Sequence, residues 1–281
     1  MLGESIQFMY GRRTVTAKRI ALTARDNGAP DFRLAIPGKI ARRFRGKTEI
    51  RPSGNELLAI VTMDIESAVA SIVAAESAPG TPLEALKAQA VATRSYLVAS
   101  GSRHKEFDFC DTTHCQFLRD LPPANSEVAR AAAETAGLAL AFKAGPFAAM
   151  YSRSCSGRTR TPAELALSDS IYFYYPVECA YCRERPMRWS AEISARDAIQ
   201  LHRNDEASRL EVNRRLGWKT IRSDDFEIKK SGSHYVVNGT GEGHGIGLCQ
   251  SGAAAMARGG AAFGEILEHY YPNTSVISLQ K

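Results

Sequence analysis

The sequence predicts an α+β protein, with helices and antiparallel β elements mixed along the chain. Three observations predict it. Residues 1–62 hold short runs of strand character separated by turn signals, residues 63–100 carry two successive helical periodicities, and Gly241 to Ala253 alternates glycines around a histidine before turning helical. The 281 residues are enough for one large domain or two smaller ones with real cores. With 44% hydrophobic and 23% charged residues, the chain reads as globular rather than disordered. No run approaches the roughly 20 apolar residues that span a bilayer, so no integral membrane segment is expected. The start, Met1 to Val15, lacks the basic-then-apolar order of a signal peptide. Either the protein is cytoplasmic or its export information lies elsewhere.

Residues 1–62 read as a small β-rich N-terminal unit, and 63–281 as the region that carries the chemistry. In the first, Thr14 to Thr23, Arg33 to Ile36 and Thr48 to Arg51 have mixed strand character, and Ser53-Gly54-Asn55 turns the chain into a strand from Glu56 to Thr62. The formal charge of +6 has a local concentration at Ala41 to Lys47. Such a run suits an anionic polymer, nucleic acid or cell-wall glycopeptide, and its plainer reading is a solvated loop. No nucleic-acid motif accompanies it, so nucleic acid is not an expected partner.

From Met63 to Ser100 two helices follow each other. Asp64 is an N-cap type, and Ile65, Val69, Ile72 and Val73 mark one apolar face. Glu76 falls on that face, where desolvation raises a carboxyl pKa and equips it as a general acid. The plain alternative is a helix-end glutamate turned to water. Glu84 reads structurally: Thr81-Pro82-Leu83-Glu84 has the pattern of a capping box, with its carboxylate at the positive end of the helix dipole. The second helix is alanine-rich, and Gly101 reads as the C-cap glycine that ends it. Gln89, Arg94 and Tyr96 lie along it, and buried polar groups of this kind need partners, either in a site or as ties.

His104, Cys110, His114 and Cys115 fall close together in a stretch without helical or strand period. Three readings compete: a structural zinc in a tetrahedral imidazole and thiolate set, a Cys110–Cys115 disulfide, or buried thiols with chance histidines. A helix capped at Asn125 or Ser126 then runs to Ala136, and Leu138 to Phe142 with Pro146 to Tyr151 read as a hairpin. The hairpin delivers Tyr151-Ser152-Arg153-Ser154-Cys155-Ser156-Gly157, whose small and hydroxyl residues suit hydrogen bonding to a sugar or any surface turn. Cys179-Ala180-Tyr181-Cys182 is a C-x-x-C pair. With Cys155 and Cys249 it makes four later cysteines that converge on a second metal or pair as disulfides, and sequence does not choose between them. Trp189 either stacks on a sugar or fills core. Helices at Ala195 to His202 and Glu206 to Leu216 precede a hairpin of Asp224 to Lys229 and His234 to Asn238. In the glycine block, His244 either faces a ligand or holds the loop together, and glycine lets a ligand approach the main chain. Phe263, Ile266, Leu267 and Tyr270 form the apolar side of a closing helix that stops before Pro272.

Several of these motifs together resemble the stage II sporulation protein D family, whose members include lytic transglycosylases and amidase-enhancer-like proteins. Glu84 to Tyr96 is similar to the family's signature helix. Tyr151 to Thr159 is similar to its Ser-Cys-Gly-Gly-x-Thr segment, with Ser156 in place of the first glycine. Gly243 to Ala253 resembles its Gly-His-Gly-x-Gly-x-x-Gln-x-Gly-Ala motif, with Cys249 where a serine is usual. Ala75-Glu76-Ser77-Ala78 stands where Glu-Met-Pro is common. The resemblance spans about residues 60–275, in the family's order.

It implies cleavage of the β-1,4 bond between N-acetylmuramic acid and N-acetylglucosamine in peptidoglycan strands stripped of stem peptides. The products would be 1,6-anhydro sugars, with Glu76 as the single acid/base. Substrate would be bound by Gln89, Arg94, Tyr151, Ser154, His244 and Gln250. A structural zinc would sit on His104, Cys110, His114 and Cys115, since some members hold zinc in a similar segment. The resemblance also implies an extracytoplasmic, cell-wall setting. The competing reading is a non-catalytic module that grips glycan and stimulates a cell-wall amidase.

Overall fold

The computed structural model describes residues 5–24, 28–38, 40–112, 115–143, 145–167, 172–201 and 206–279. Among these, eight α-helices combine with small, mostly antiparallel sheets, the α+β class expected. The chain divides into two compact units: Met1–Ala75 with Ser102–Ser126, and Glu76–Gly101 with Glu127–Lys281.

The first unit is built on hairpins. β1 (Ile6–Tyr10) pairs with β2 (Arg13–Ala17), and β3 (Ile20–Leu22) borders a later hairpin. β4 (Asp31–Ile36) pairs with β5 (Ile40–Arg45), and β6 (Lys47–Ser53) with β7 (Glu56–Thr62) across the Ser53-Gly54-Asn55 turn. The basic run is a strand, not a solvated loop. Arg42 is buried and ion-paired with Asp111, the Arg43 backbone N–H donates to Asp120 at 2.7 Å, and Arg45 binds Asp31 at 3.0 Å. Asp111 and Asp31 take up part of the charge that was read as available to an anionic polymer. α1 (Ile65–Glu76) begins as expected, with Asp64 Oδ1 accepting the Ser67 N–H at 2.9 Å. Val69, Ile72 and Val73 are buried, whereas Ile65, in the unsupported first turn, is exposed.

The second unit is organised on α2 (Leu83–Ala99). Eleven of its residues are buried, Ala85 and Leu86 and every position from Ala88 to Tyr96. A helix buried all round is central by definition, and its alanines let α3 (Glu127–Glu134) and β8 (Leu138–Phe142) come close. The hairpin expected after β8 is shorter than the sequence indicated. β9 is only Gly145–Pro146, and β10 (Tyr151–Ser152) leaves it for a different sheet. α4 (Ala180–Glu184) follows, then β11 (Arg188–Ile193), α5 (Ala195–Leu201), α6 (Glu206–Leu216), β12 (Phe226–Ser231) and β13 (His234–Thr240). The last three strands named form one sheet in the order β11-β13-β12, with α5 and α6 closing a second core around Val212, Ile221 and Val237. Trp189 belongs to that core: its ring lies on Gly239, its neighbour in the β11–β13 register, where any Cβ would collide with the indole. Its Nε1–H reaches Ser223 Oγ at 3.3 Å, so the tryptophan fills core rather than stacking on a ligand.

β14 (Leu248–Cys249) runs parallel to β10 and feeds α7 (Gln250–Arg258). α8 (Phe263–Tyr270) buries Ile266, Leu267 and Tyr270, the face its spacing foretold, and β15 (Ser275–Ser278) returns to β8. The principal core gathers α2, β8, α7 and α8 around Phe147, Tyr172, Tyr174 and Tyr271. Among the described residues no helix is long and apolar enough to cross a membrane.

Candidate active-site cleft and metal-ligating clusters

A cleft opens in the second unit where α2, α7 and the chain leaving β10 converge. Ser77, Gln89, Arg153, Tyr181, Gln250 and Arg258 are among the residues lining it. Gln89 sits on the buried stripe of α2, and Gln250 opens α7. Their amides face each other, Gln250 Nε2 lying 3.5 Å from Gln89 Oε1. Arg153 also lines the cleft, and its Nη1 lies 3.4 Å from the backbone oxygen of Glu76.

Glu76 is half-buried beside this wall, one residue before the lining begins at Ser77. Burial pushes its carboxyl up to about 7, and the positive charge of Arg153 pulls in the opposite direction. A carboxyl poised there is about half protonated near neutral pH, and can both donate and accept a proton.

Glu84 does not complete a capping box. The extended N-cap of α2 is Pro82, which makes no side-chain cap, and Thr81 Oγ1 donates instead to Ala78 O at 2.7 Å. The Glu84 carboxylate accepts the Phe263 N–H at 2.8 Å and pairs with Lys87 at 2.8 Å, so it caps the start of α8, 179 residues further on. The Lys87 hydrogen bond holds its pKa below the ordinary carboxyl value. A local pattern suggested one cap, and tertiary structure supplies another.

The remaining expected substrate residues divide. Gln89 and Gln250 line the cleft. Arg94 is wholly buried and donates to Leu138 O at 2.9 Å, which ties α2 to β8 and keeps the guanidinium out of the cleft. Ser154 is buried too, its backbone bridged to Glu242 and its hydroxyl 3.5 Å from Cys182 Sγ, away from the lining. Tyr151 is half-buried in β10 and is not among the lining residues. His244 holds its loop: Nδ1 accepts the Ile246 N–H at 3.0 Å. Burial drives its pKa down to about 4, helped by the charge of Arg209 and opposed by a hydrogen bond to the Tyr151 backbone. It is neutral at pH 7. Arg153 was missed as a site residue, since nothing in its spacing separates it from its small neighbours.

Two groups of side chains could hold a metal ion, and no disulfide joins any of the six cysteines. In the first unit, ligand atoms of His104, Cys110 and Cys115 lie within 4.8 Å of one another, with His104 Nε2 3.2 Å from Cys115 Sγ. A tetrahedral zinc holds nitrogen and sulfur ligands about 3.5 Å apart, so these three side chains fit one ion. His114, expected as the fourth ligand, lies outside the described residues. In the second unit, Cys155, Cys179, Cys182 and Cys249 form a buried cluster able to hold a metal such as zinc. Ser156, standing in the family's glycine position, takes a left-handed φ of 63°, as a glycine there would without strain.

The profile of the SpoIID family, Stage II sporulation protein, matches residues 53–142, a span that includes β7, α1, α2 and residues 104–115. The chain therefore carries a SpoIID family domain. More particularly, it is distantly homologous to two named proteins. It is 24% identical over 262 residues to stage II sporulation protein D of Bacillus amyloliquefaciens, covering 77% of this chain and 75% of that one. It is 40% identical over 68 residues to an amidase enhancer of Bacillus subtilis, covering 24% of this chain and 10% of that protein. An uncharacterised protein of Brachyspira hyodysenteriae is 26% identical over 271 residues, covering 85% of this chain and 73% of the relative.

Proposed function

We propose that the protein is a peptidoglycan lytic transglycosylase, acting in an extracytoplasmic setting on glycan strands stripped of stem peptides. The observation that carries this reading is Glu76, a half-buried carboxyl with a pKa near 7 beside a polar cleft. Most glycosidases divide the work between two carboxylates; a transglycosylase needs one. Protonated Glu76 donates to the bridging oxygen as the bond from C1 breaks. The resulting carboxylate then takes the proton of the same sugar's 6-hydroxyl, whose oxygen closes on C1 as a 1,6-anhydro ring. Such proton transfers contribute roughly 10² to 10⁴-fold. Gln89 and Gln250 offer amide donors and acceptors to the sugar, and Arg153 and Arg258 offer positive charge. That charge suits the lactyl carboxylates left exposed when stem peptides are removed. In this reading a zinc on His104, Cys110 and Cys115, with His114, is structural and takes no part in the reaction.

A second reading is favoured by the short, high-identity match to the amidase enhancer and by the absence of Glu76 from the residues lining the cleft. There the cleft grips glycan and stimulates a separate amidase. Incubation of the pure protein with denuded strands separates the two. Mass spectrometry finds 1,6-anhydro ends if the protein is the transglycosylase. Intact denuded strands, together with faster release of stem peptides by an added amidase from peptidoglycan that still carries them, would replace it with the enhancer reading.

A further inference from the structure

We propose that Cys155, Cys179, Cys182 and Cys249 hold one structural zinc ion that locks three walls of the cleft in place. The four come from three separate places: the chain after β10, the start of α4, and β14. All are buried, at 4%, 3%, 1% and 0% exposure, and every sulfur lies within 4.8 Å of the other three. Four sulfurs around zinc at about 2.3 Å stand about 3.8 Å apart in a tetrahedron. Cys182 Sγ and Cys249 Sγ are 3.5 Å apart.

The surroundings match thiolates rather than thiols. A neutral thiol is a weak acceptor, yet three sulfurs each have a donor group in reach. The Gly252 N–H points at Cys249 Sγ at 3.4 Å, the Tyr270 hydroxyl stands 3.5 Å from Cys179 Sγ, and the Ser154 hydroxyl stands 3.5 Å from Cys182 Sγ. Outer partners of this kind orient metal ligands and spread their charge. Gly252 keeps the space open: a Cβ there would run into Tyr270 Oη and Cys179 Sγ at 2.5 Å.

The elements that meet here are too slight to hold themselves. The β10–β14 ladder is two residue pairs, and α4 is five residues long. Helices that short do not persist alone. Each nevertheless presents a residue to the cleft next to a cysteine: Arg153 precedes Cys155 by two positions, Tyr181 directly precedes Cys182, and Gln250 directly follows Cys249. A closed four-thiolate zinc supplies the missing cross-link and leaves no open position for chemistry. The inference stands whether the cleft cleaves glycan or only binds it.

The test uses the full chain carrying Cys110→Ser and Cys115→Ser, which removes both thiolates of the first-unit group. We expect it to purify with about one zinc per chain and, on cobalt exchange, to show the intense tetrahedral and thiolate charge-transfer bands of a four-sulfur site. Zinc below about a tenth of an equivalent, or two disulfides by mass, would overturn the proposal. The unaltered chain gives an independent measurement by peptide-resolved alkylation. Cys155, Cys179, Cys182 and Cys249 should become reactive together only when a chelator is added, with hydrogen exchange rising around Arg153, Tyr181 and Gln250. Alkylation of the four without chelator overturns the metal, and unchanged exchange after metal removal overturns the locking role.

Discussion

Glu76 and Glu84 differ in almost every property that governs an acid. Glu84 is paired with Lys87 and a backbone N–H, so its charge is welcome; Glu76 is half-buried with only Arg153 to favour ionisation. The Glu76 carboxyl must be protonated to donate, so cleavage should fall as pH rises through about 7. Arg153→Met removes the charge that lowers this pKa, and should move the falling limb to higher pH; a limb unmoved in a rate–pH profile would detach Arg153 from Glu76. The same shift affects stability. Between the ordinary carboxyl value of 4.5 and about 7 the folded state binds more proton than the unfolded one, so stability declines as pH rises through that window. Glu76→Gln should therefore stabilise the chain at pH 8, by on the order of 1–3 kcal/mol, and not at pH 4. His244 has the opposite sign. Its pKa drops from 6.5 to about 4 on folding, so its contribution is present above 6.5 and is lost as pH falls towards 4. His244→Asn should flatten the loss of stability between pH 7 and pH 5 by on the order of 1–2 kcal/mol in denaturant titrations.

At the scale of elements, what the sequence made readable is what neighbouring residues decide. α8 and the β12–β13 hairpin follow from apolar spacing and a glycine turn, and α1 starts where Asp64 caps it. The start of α8 was not readable, because its backbone N–H is satisfied by Glu84, 179 residues earlier. Glu84→Ala should cost about 1 kcal/mol in thermal or denaturant unfolding, since it strips a charged acceptor from a partly buried helix start. It should leave the pH dependence of cleavage unchanged, and a shifted limb would give Glu84 a chemical role. Arg94 shows the same limit. Its need for a partner was evident from its place on an alanine-rich helix, but that the partner is the Leu138 carbonyl depends on how β8 packs. The convergence of Cys155, the C-x-x-C pair and Cys249 was one of several arrangements the sequence allowed, and the fold brings the four sulfurs within 4.8 Å of one another.

For the whole molecule, a net charge of +6 favours encounter with an anionic strand. The Arg42 and Arg45 pairs neutralise two of the four basic side chains in the densest basic run, which moves attention to the arginines of the cleft. The family resemblance was legible because separated motifs kept their order along the chain. The cleft itself was legible only at Gln89 and Gln250, and Arg153 emerged from the fold. The claim on which the functional reading rests is that the Glu76 carboxyl makes and breaks the proton bonds of glycan cleavage. The most direct measurement compares wild type and Glu76→Gln on the same denuded strands, counting 1,6-anhydro ends by mass spectrometry while circular dichroism and bound zinc confirm an unchanged fold. The account predicts anhydro ends from the wild type and a loss of at least about 10²-fold in the variant; anhydro ends formed at an undiminished rate by Glu76→Gln would contradict it.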